Sequence, residues 1–150
     1  MFKRILVPLD GSARSEQALP LAAHIARTYN SSLVLTRIVD IFETIGASSI
    51  QAAALANEIR ETQEKEAQEY LQRIYNTREL EQLDRAIEVH SGDVTTMLLD
   101  MIDKDTIDLV VMSSHDYTDY KQWVLGSVTH KMVHDTRYNV KIMGSNSLLP

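Results

Sequence analysis

Toward the C-terminus the chain reads Ser113-Ser114-His115-Asp116-Tyr117-Thr118-Asp119-Tyr120-Lys121-Gln122-Trp123-Val124-Leu125-Gly126-Ser127. The stretch follows an apolar run and ends in a Gly-Ser that opens a helical pattern. Free N–H groups and the dipole at such a helix start favour an anion, which is how chains commonly cradle phosphate. A second loop of related chemistry, Pro8-Leu9-Asp10-Gly11-Ser12, follows the first apolar run. Asp10 offers acceptor oxygens there, and Gly11 permits a tight turn or the close approach of a ligand. The same Asp-Gly-Ser reads equally as an ordinary turn and helix N-cap. Against phosphate stand Asp116 and Asp119, two carboxylates in the loop that leads to the Gly126-Ser127 cradle.

Other chemistry-bearing residues carry less. His130 and His134 have the i, i+4 spacing that can hold a metal, but no clear third ligand accompanies them, and no metal site is assigned. Ser12, His115 and Asp10 are the residue types of a hydrolase triad, yet the G-x-S-x-G elbow is missing, so no catalytic residue is assigned. His115 and the pair Tyr120 and Trp123 read as surface, packing or partner-contact residues. The chain has no cysteine, which excludes disulfides, thiol catalysis and thiolate metal sites.

Positioning these loops requires elements, and five short apolar runs alternate with helical patterns. The runs are Ile5–Leu9, Ser32–Val39, Arg85–Val89, Leu109–Met112 and Val140–Met143. Their length and branched residues read as strands. The first, second and fourth are apolar on both faces, as central parallel strands are; the third and fifth alternate like edges. Ser12 is a plausible N-cap for a helix to about Tyr29, in which Pro20 predicts a kink. A long helix from about Ser49 to Tyr75 carries Ile59, Ala67, Tyr70, Leu71 and Ile74 on one side; its charge run Arg60–Glu66 reads as a solvated face. Val94, Met97, Leu98, Met101 and Ile102 line one face of a third helix, and Val124, Leu125, Val128 and Met132 of a last one. This β-α-β-α-β-α-β-α-β order predicts an open, doubly wound, five-stranded parallel α/β sheet with helices on both faces. Ligands bind outside the carboxyl ends of such strands, where strand order reverses, and both loops fall there, with Val39-Asp40 closing a neighbouring strand.

At 150 residues with 44% hydrophobic and 24% charged, the composition is that of one globular domain. We expect a single domain over 1–144, with 145–150 as a tail. A formal net charge of −6 disfavours nucleic acid and anionic lipid as partners. The apolar run after Met1-Phe2-Lys3-Arg4 is too short for a signal peptide or membrane span, and a cytoplasmic protein is expected.

On these residues the chain resembles the universal stress protein family. The resemblance rests on Ile5–Ser12, Gly92-Asp93 before the third helix, Asp108–Met112, and Gly126-Ser127-Val128, and so runs along nearly the whole chain. It implies an adenine nucleotide alpha hydrolase-like fold, a five-stranded parallel sheet in a homodimer paired through the last strand, here Val140–Met143. It also implies ATP binding, through two glycines three positions apart, then nine residues, then Gly-Ser or Gly-Thr. Here the spacing survives without the glycines. Ser113 and Asp116 stand in their places, and Tyr117 through Leu125 separate them from Gly126-Ser127. Pro8, Leu9, Asp10 and Val39 match the adenine and ribose contacts; Ser127, Val128 and Thr129 match the phosphate side.

Asp116 changes the expected ligand. At about 6 Å and an effective dielectric near 20, one like-charge pair costs on the order of 3 kcal/mol before screening, or about a hundredfold in affinity. The expectation is therefore a non-enzymatic stress-response module with a degenerate ATP site, taking ATP or AMP weakly or not at all, magnesium entering only with ATP. The alternative is an ATP-binding member with slow magnesium-dependent ATPase or phosphotransfer, Asp116 or Asp119 holding the metal. A dimeric scaffold with no small ligand is a third reading.

Overall fold

A computed structural model describes residues 1–40, 50–113 and 140–143. Strands β1 (Arg4–Pro8), β2 (Ser32–Val39), β3 (Arg85–Ser91), β4 (Leu109–Ser113) and β5 (Val140–Met143) form one parallel sheet in the order β3-β2-β1-β4-β5. The three runs that are apolar on both faces are the three inner strands. Ile5, Leu6, Val7, Leu33, Leu35 and Val111 are wholly shielded from solvent. The alternating runs β3 and β5 are the two outer strands of the sheet. All four pairings are parallel, with Ile5 of β1 facing both Leu33 of β2 and Leu109 of β4.

Helices α1 (Ala13–Glu16), α2 (Ala18–Tyr29), α3 (Ile50–Tyr75) and α4 (Val94–Lys104) accompany the strands. Alternate strand residues sort into two cores, one on each face. On one face Ile5, Val7, Leu33 and Leu35 meet α2 and the C-terminal part of α3 through Ala22, Tyr70, Leu71 and Ile74. On the other, Leu6, Val34, Val110 and Met112 meet α4 through Leu98, Met101 and Ile102. Burying a leucine or isoleucine contributes roughly 1.5–3 kcal/mol, so these two cores, rather than surface ion pairs, hold the sheet covered.

Two expectations need correction. The helix foreseen from Ser12 to Tyr29 is two helices separated at Gln17. Pro20 is the third residue of α2, where no intrahelical donor is needed; its missing N–H leaves the Glu16 carbonyl without its partner four residues on, and the chain breaks there. The third strand runs on to Ser91, because β2 continues beside it and pairs Ile38 with His90 and Val39 with Ser91. The helix expected around Val124 to Met132, with His115, His130 and His134, lies outside the described residues. No helix among the described residues is long and apolar enough to cross a membrane.

Candidate functional site

The chain leaves β1 for β2 on one side of the sheet centre and later places β4 on the other. The strand order therefore reverses between β1 and β4, and the crevice expected of this architecture opens at their carboxyl ends. Pro8 ends β1 there, with Leu9 and Asp10 following it, and Ser113 ends β4. Val39 ends β2 on the neighbouring strand. Asp116, Gly126, Ser127, Val128 and Thr129 lie outside the described residues.

The β1–α1 turn is built by its own side chains. Leu9 extends the sheet ladder one residue, its N–H donating to the Thr36 carbonyl at 2.8 Å. Asp10 then folds the chain over: its Oδ1 accepts the Ser12 N–H at 2.9 Å. Gly11 between them has φ +88°, a left-handed value that suits glycine. Ser12 caps α1, its Oγ accepting the Ser15 N–H at 3.1 Å. Fully buried Ser15 donates its hydroxyl to the Ser12 carbonyl at 2.9 Å and accepts the Asp10 N–H at 3.3 Å. The turn and N-cap reading of Asp-Gly-Ser is thus correct, and it leaves Asp10 exposed at the crevice mouth.

Ser113 faces inward rather than toward an open loop. It is 1% exposed, and its hydroxyl donates to the Arg14 carbonyl at 2.6 Å, tying the end of β4 to α1. Val39 is buried, and its carbonyl accepts the Gly92 N–H at 3.0 Å. The Gly92-Asp93 pair then opens α4, with Asp93 Oδ2 accepting the Thr96 N–H at 2.9 Å.

Beside the turn lies a group that the sequence reading did not assign to a site. Arg37 sits on β2 on the same face as Leu33 and Leu35, where the apolar pattern would call for another hydrophobic residue. Its guanidinium lies 5.2 Å from the centre of the Tyr70 ring. It also lies flat against Gly11: a Cβ there would be 3.1–3.2 Å from Nη1, Cζ and Nη2 together. Arg73 approaches the same ring at 5.8 Å. The Tyr70 hydroxyl donates to Glu16 Oε1 at 3.1 Å. Burial, then the Glu16 carboxylate, pushes the Tyr70 phenol well above its ordinary value. The signal for this group was present in the sequence as a charge inside an apolar strand and as Glu66, Glu69, Tyr70 and Arg73 at helical spacing.

Sheet order, helices on both faces and a crevice at the reversal make this a doubly wound α/β protein of the adenine nucleotide alpha hydrolase-like type. Residues 1–142 match the sequence profile of the universal stress protein family, and the chain belongs to that family. Among its relatives, universal stress protein MJ0531 of Methanocaldococcus jannaschii is 24% identical over 95% of this chain and 82% of its own length. Universal stress protein YxiE of Bacillus subtilis is 26% identical over 88% of this chain and 92% of its own. Among solved structures, hypothetical protein MJ0577 superposes with a TM-score of 0.80 at 22% identity over 96% of both chains. Universal stress protein UspA from Lactobacillus plantarum gives 0.75 at 21% identity, over 95% of this chain and 97% of that one. A universal stress protein solved in complex with cAMP gives 0.60 at 20% identity, over 95% and 97%.

Proposed function

We propose that this chain is a non-enzymatic, cytoplasmic stress-response module, a single domain over 1–144 that holds an adenine nucleotide weakly where β1, β2 and β4 end. The observation that carries the reading is the juxtaposition of the Asp10 turn with Ser113 at the reversal between β1 and β4. The relative solved with cAMP supports the ligand class. On this reading Pro8, Leu9, Asp10 and Val39 take the base and ribose, while Gly126, Ser127, Val128 and Thr129 take phosphate. The weakness follows from the two replaced glycines. Ser113 puts a Cβ where glycine would leave the backbone open to phosphate, and Asp116 adds a negative charge to the loop that precedes the cradle.

Calorimetry with ATP and AMP, each with and without magnesium, tests this. We expect AMP to bind at least as well as ATP, and Asp116→Gly to raise ATP affinity by roughly tenfold or more. Gly126→Val should abolish nucleotide binding and spare the fold, because a β-branched side chain blocks the cradle. Tight magnesium-dependent ATP binding by the wild type, lost in Asp116→Gly, would make the carboxylate a metal ligand and favour the ATPase reading.

A further inference from the structure

A cavity of about 370 Å³ lies beside the switch-point crevice, between α3, the end of β2 and the β1–α1 turn. Glu66, Glu69, Tyr70 and Arg73 wall it from α3, Arg37 from β2, and Asp10 and Gly11 from the turn. Ser113 is not among its walls. Its size is at the small end of ligand pockets, suited to a compact metabolite and tight for a whole nucleotide.

Its charges are arranged in a way that packing alone does not require. Arg37 is clamped between the Gly11 backbone and the Tyr70 ring, and Arg73 approaches that ring as well. Neither guanidinium makes an ion pair or hydrogen bond among the described residues. Glu69 and Arg73 stand at i, i+4, the spacing that normally pairs, and yet no ion pair joins them. Among the described residues both guanidiniums keep their hydrogen-bonding edges unspent, Arg37 fixed between turn and ring and Arg73 on the exposed side of α3, and that planar fork matches a carboxylate or phosphate. The same cavity carries three carboxylates, those of Asp10, Glu66 and Glu69. A bare anion meets their repulsion, and a bare cation meets that of the arginines. A ligand that carries both charges satisfies both sets.

We propose that this cavity is a second ligand site, for a small zwitterion whose carboxylate or phosphate sits on Arg37 and Arg73 and whose ammonium faces Glu66 and Glu69. The site shares Asp10 with the switch-point crevice, but its arginines and glutamates belong to β2 and α3 alone, and its test uses no nucleotide. Phosphoethanolamine and 4-aminobutyrate serve as probes, with inorganic phosphate and ethanolamine as half-ligands, in calorimetry on the full chain. We expect phosphoethanolamine to bind about tenfold or more tighter than either half, and Arg37→Gln or Arg73→Gln to weaken it at least about tenfold. Glu66→Gln with Glu69→Gln, both on the exposed side of α3, leaves the fold intact and gives the sharper result. That double variant should lose affinity for phosphoethanolamine while gaining affinity for phosphate. An arginine–tyrosine stack serving stability alone moves neither affinity. Phosphate binding as tightly as phosphoethanolamine, the double variant raising both affinities, or no binding of either zwitterion by the wild type would overturn the proposal.

Discussion

Tyr70 ties its own helix to β2 and to α1. Its ring receives Arg37 from β2 and Arg73 from α3, and its hydroxyl reaches Glu16 of α1 across the gap between helices. The sequence places Tyr70 on the apolar face of a helix, which is correct, since it is 7% exposed. What periodicity leaves out is the polar tip, because partners from other elements are invisible to a local pattern. Burial and Glu16 hold the proton on the folded phenol above the ordinary value of 10.0. The folded state then binds more protons than the unfolded one above about pH 10, so stability falls as pH rises from there. Below that pH the contribution is fully present. Tyr70→Phe should lower stability by about 1 kcal/mol at neutral pH through loss of the hydrogen bond, while keeping the ring under both arginines. Between pH 10 and 11 its melting temperature should fall less steeply than that of the wild type. Parallel slopes would mean that Tyr70 ionises as freely in the folded protein as in the unfolded chain.

At the scale of elements, local signals set most boundaries. Helix α4 begins and ends where its pattern does, from Val94 to Lys104, because Asp93 supplies the cap and the Leu98, Met101 and Ile102 face has a sheet to cover. Asp93 Oδ2 accepts both the Thr96 N–H at 2.9 Å and the Thr96 hydroxyl at 2.7 Å. Asp93→Ala should cost about 1 kcal/mol in denaturant unfolding, and Asp93→Ser should recover most of it, since serine caps nearly as well. Equal losses in the two variants would show that the carboxylate charge, rather than the cap bond, matters. The split of α1 from α2 was less legible. Pro20 signalled a disturbance, but the break fell a turn earlier, at the carbonyl that the proline could not serve. Arg37 was likewise hidden inside a strand whose other residues are those of a core.

At the scale of the whole molecule, β5 pairs with β4 on one side and with no strand on the other among the described residues. An outermost strand can pair with a second copy, and the family resemblance implies a homodimer through it. Light scattering in dilute solution should give twice the chain mass, and Ile142→Pro, which removes a ladder donor, should shift the mass toward the monomer. A monomeric wild type would remove the edge-pairing reading, and an unchanged dimer in the variant would move the interface elsewhere.

The sequence by itself determined the alternation of strands and helices, which strands are central, the capped turn at Ser12, and the family. Each of these depends on local periodicity, turn chemistry or motif spacing, which a linear pattern carries. The tertiary structure alone decided that Ser113 spends its hydroxyl on α1, and that Arg37 meets Tyr70 and Arg73 beside the Asp10 turn. Those contacts join elements far apart in the chain. They exist only because parallel pairing of β1 with β2, and the packing of α3 over that face, bring the ends of those elements to one place.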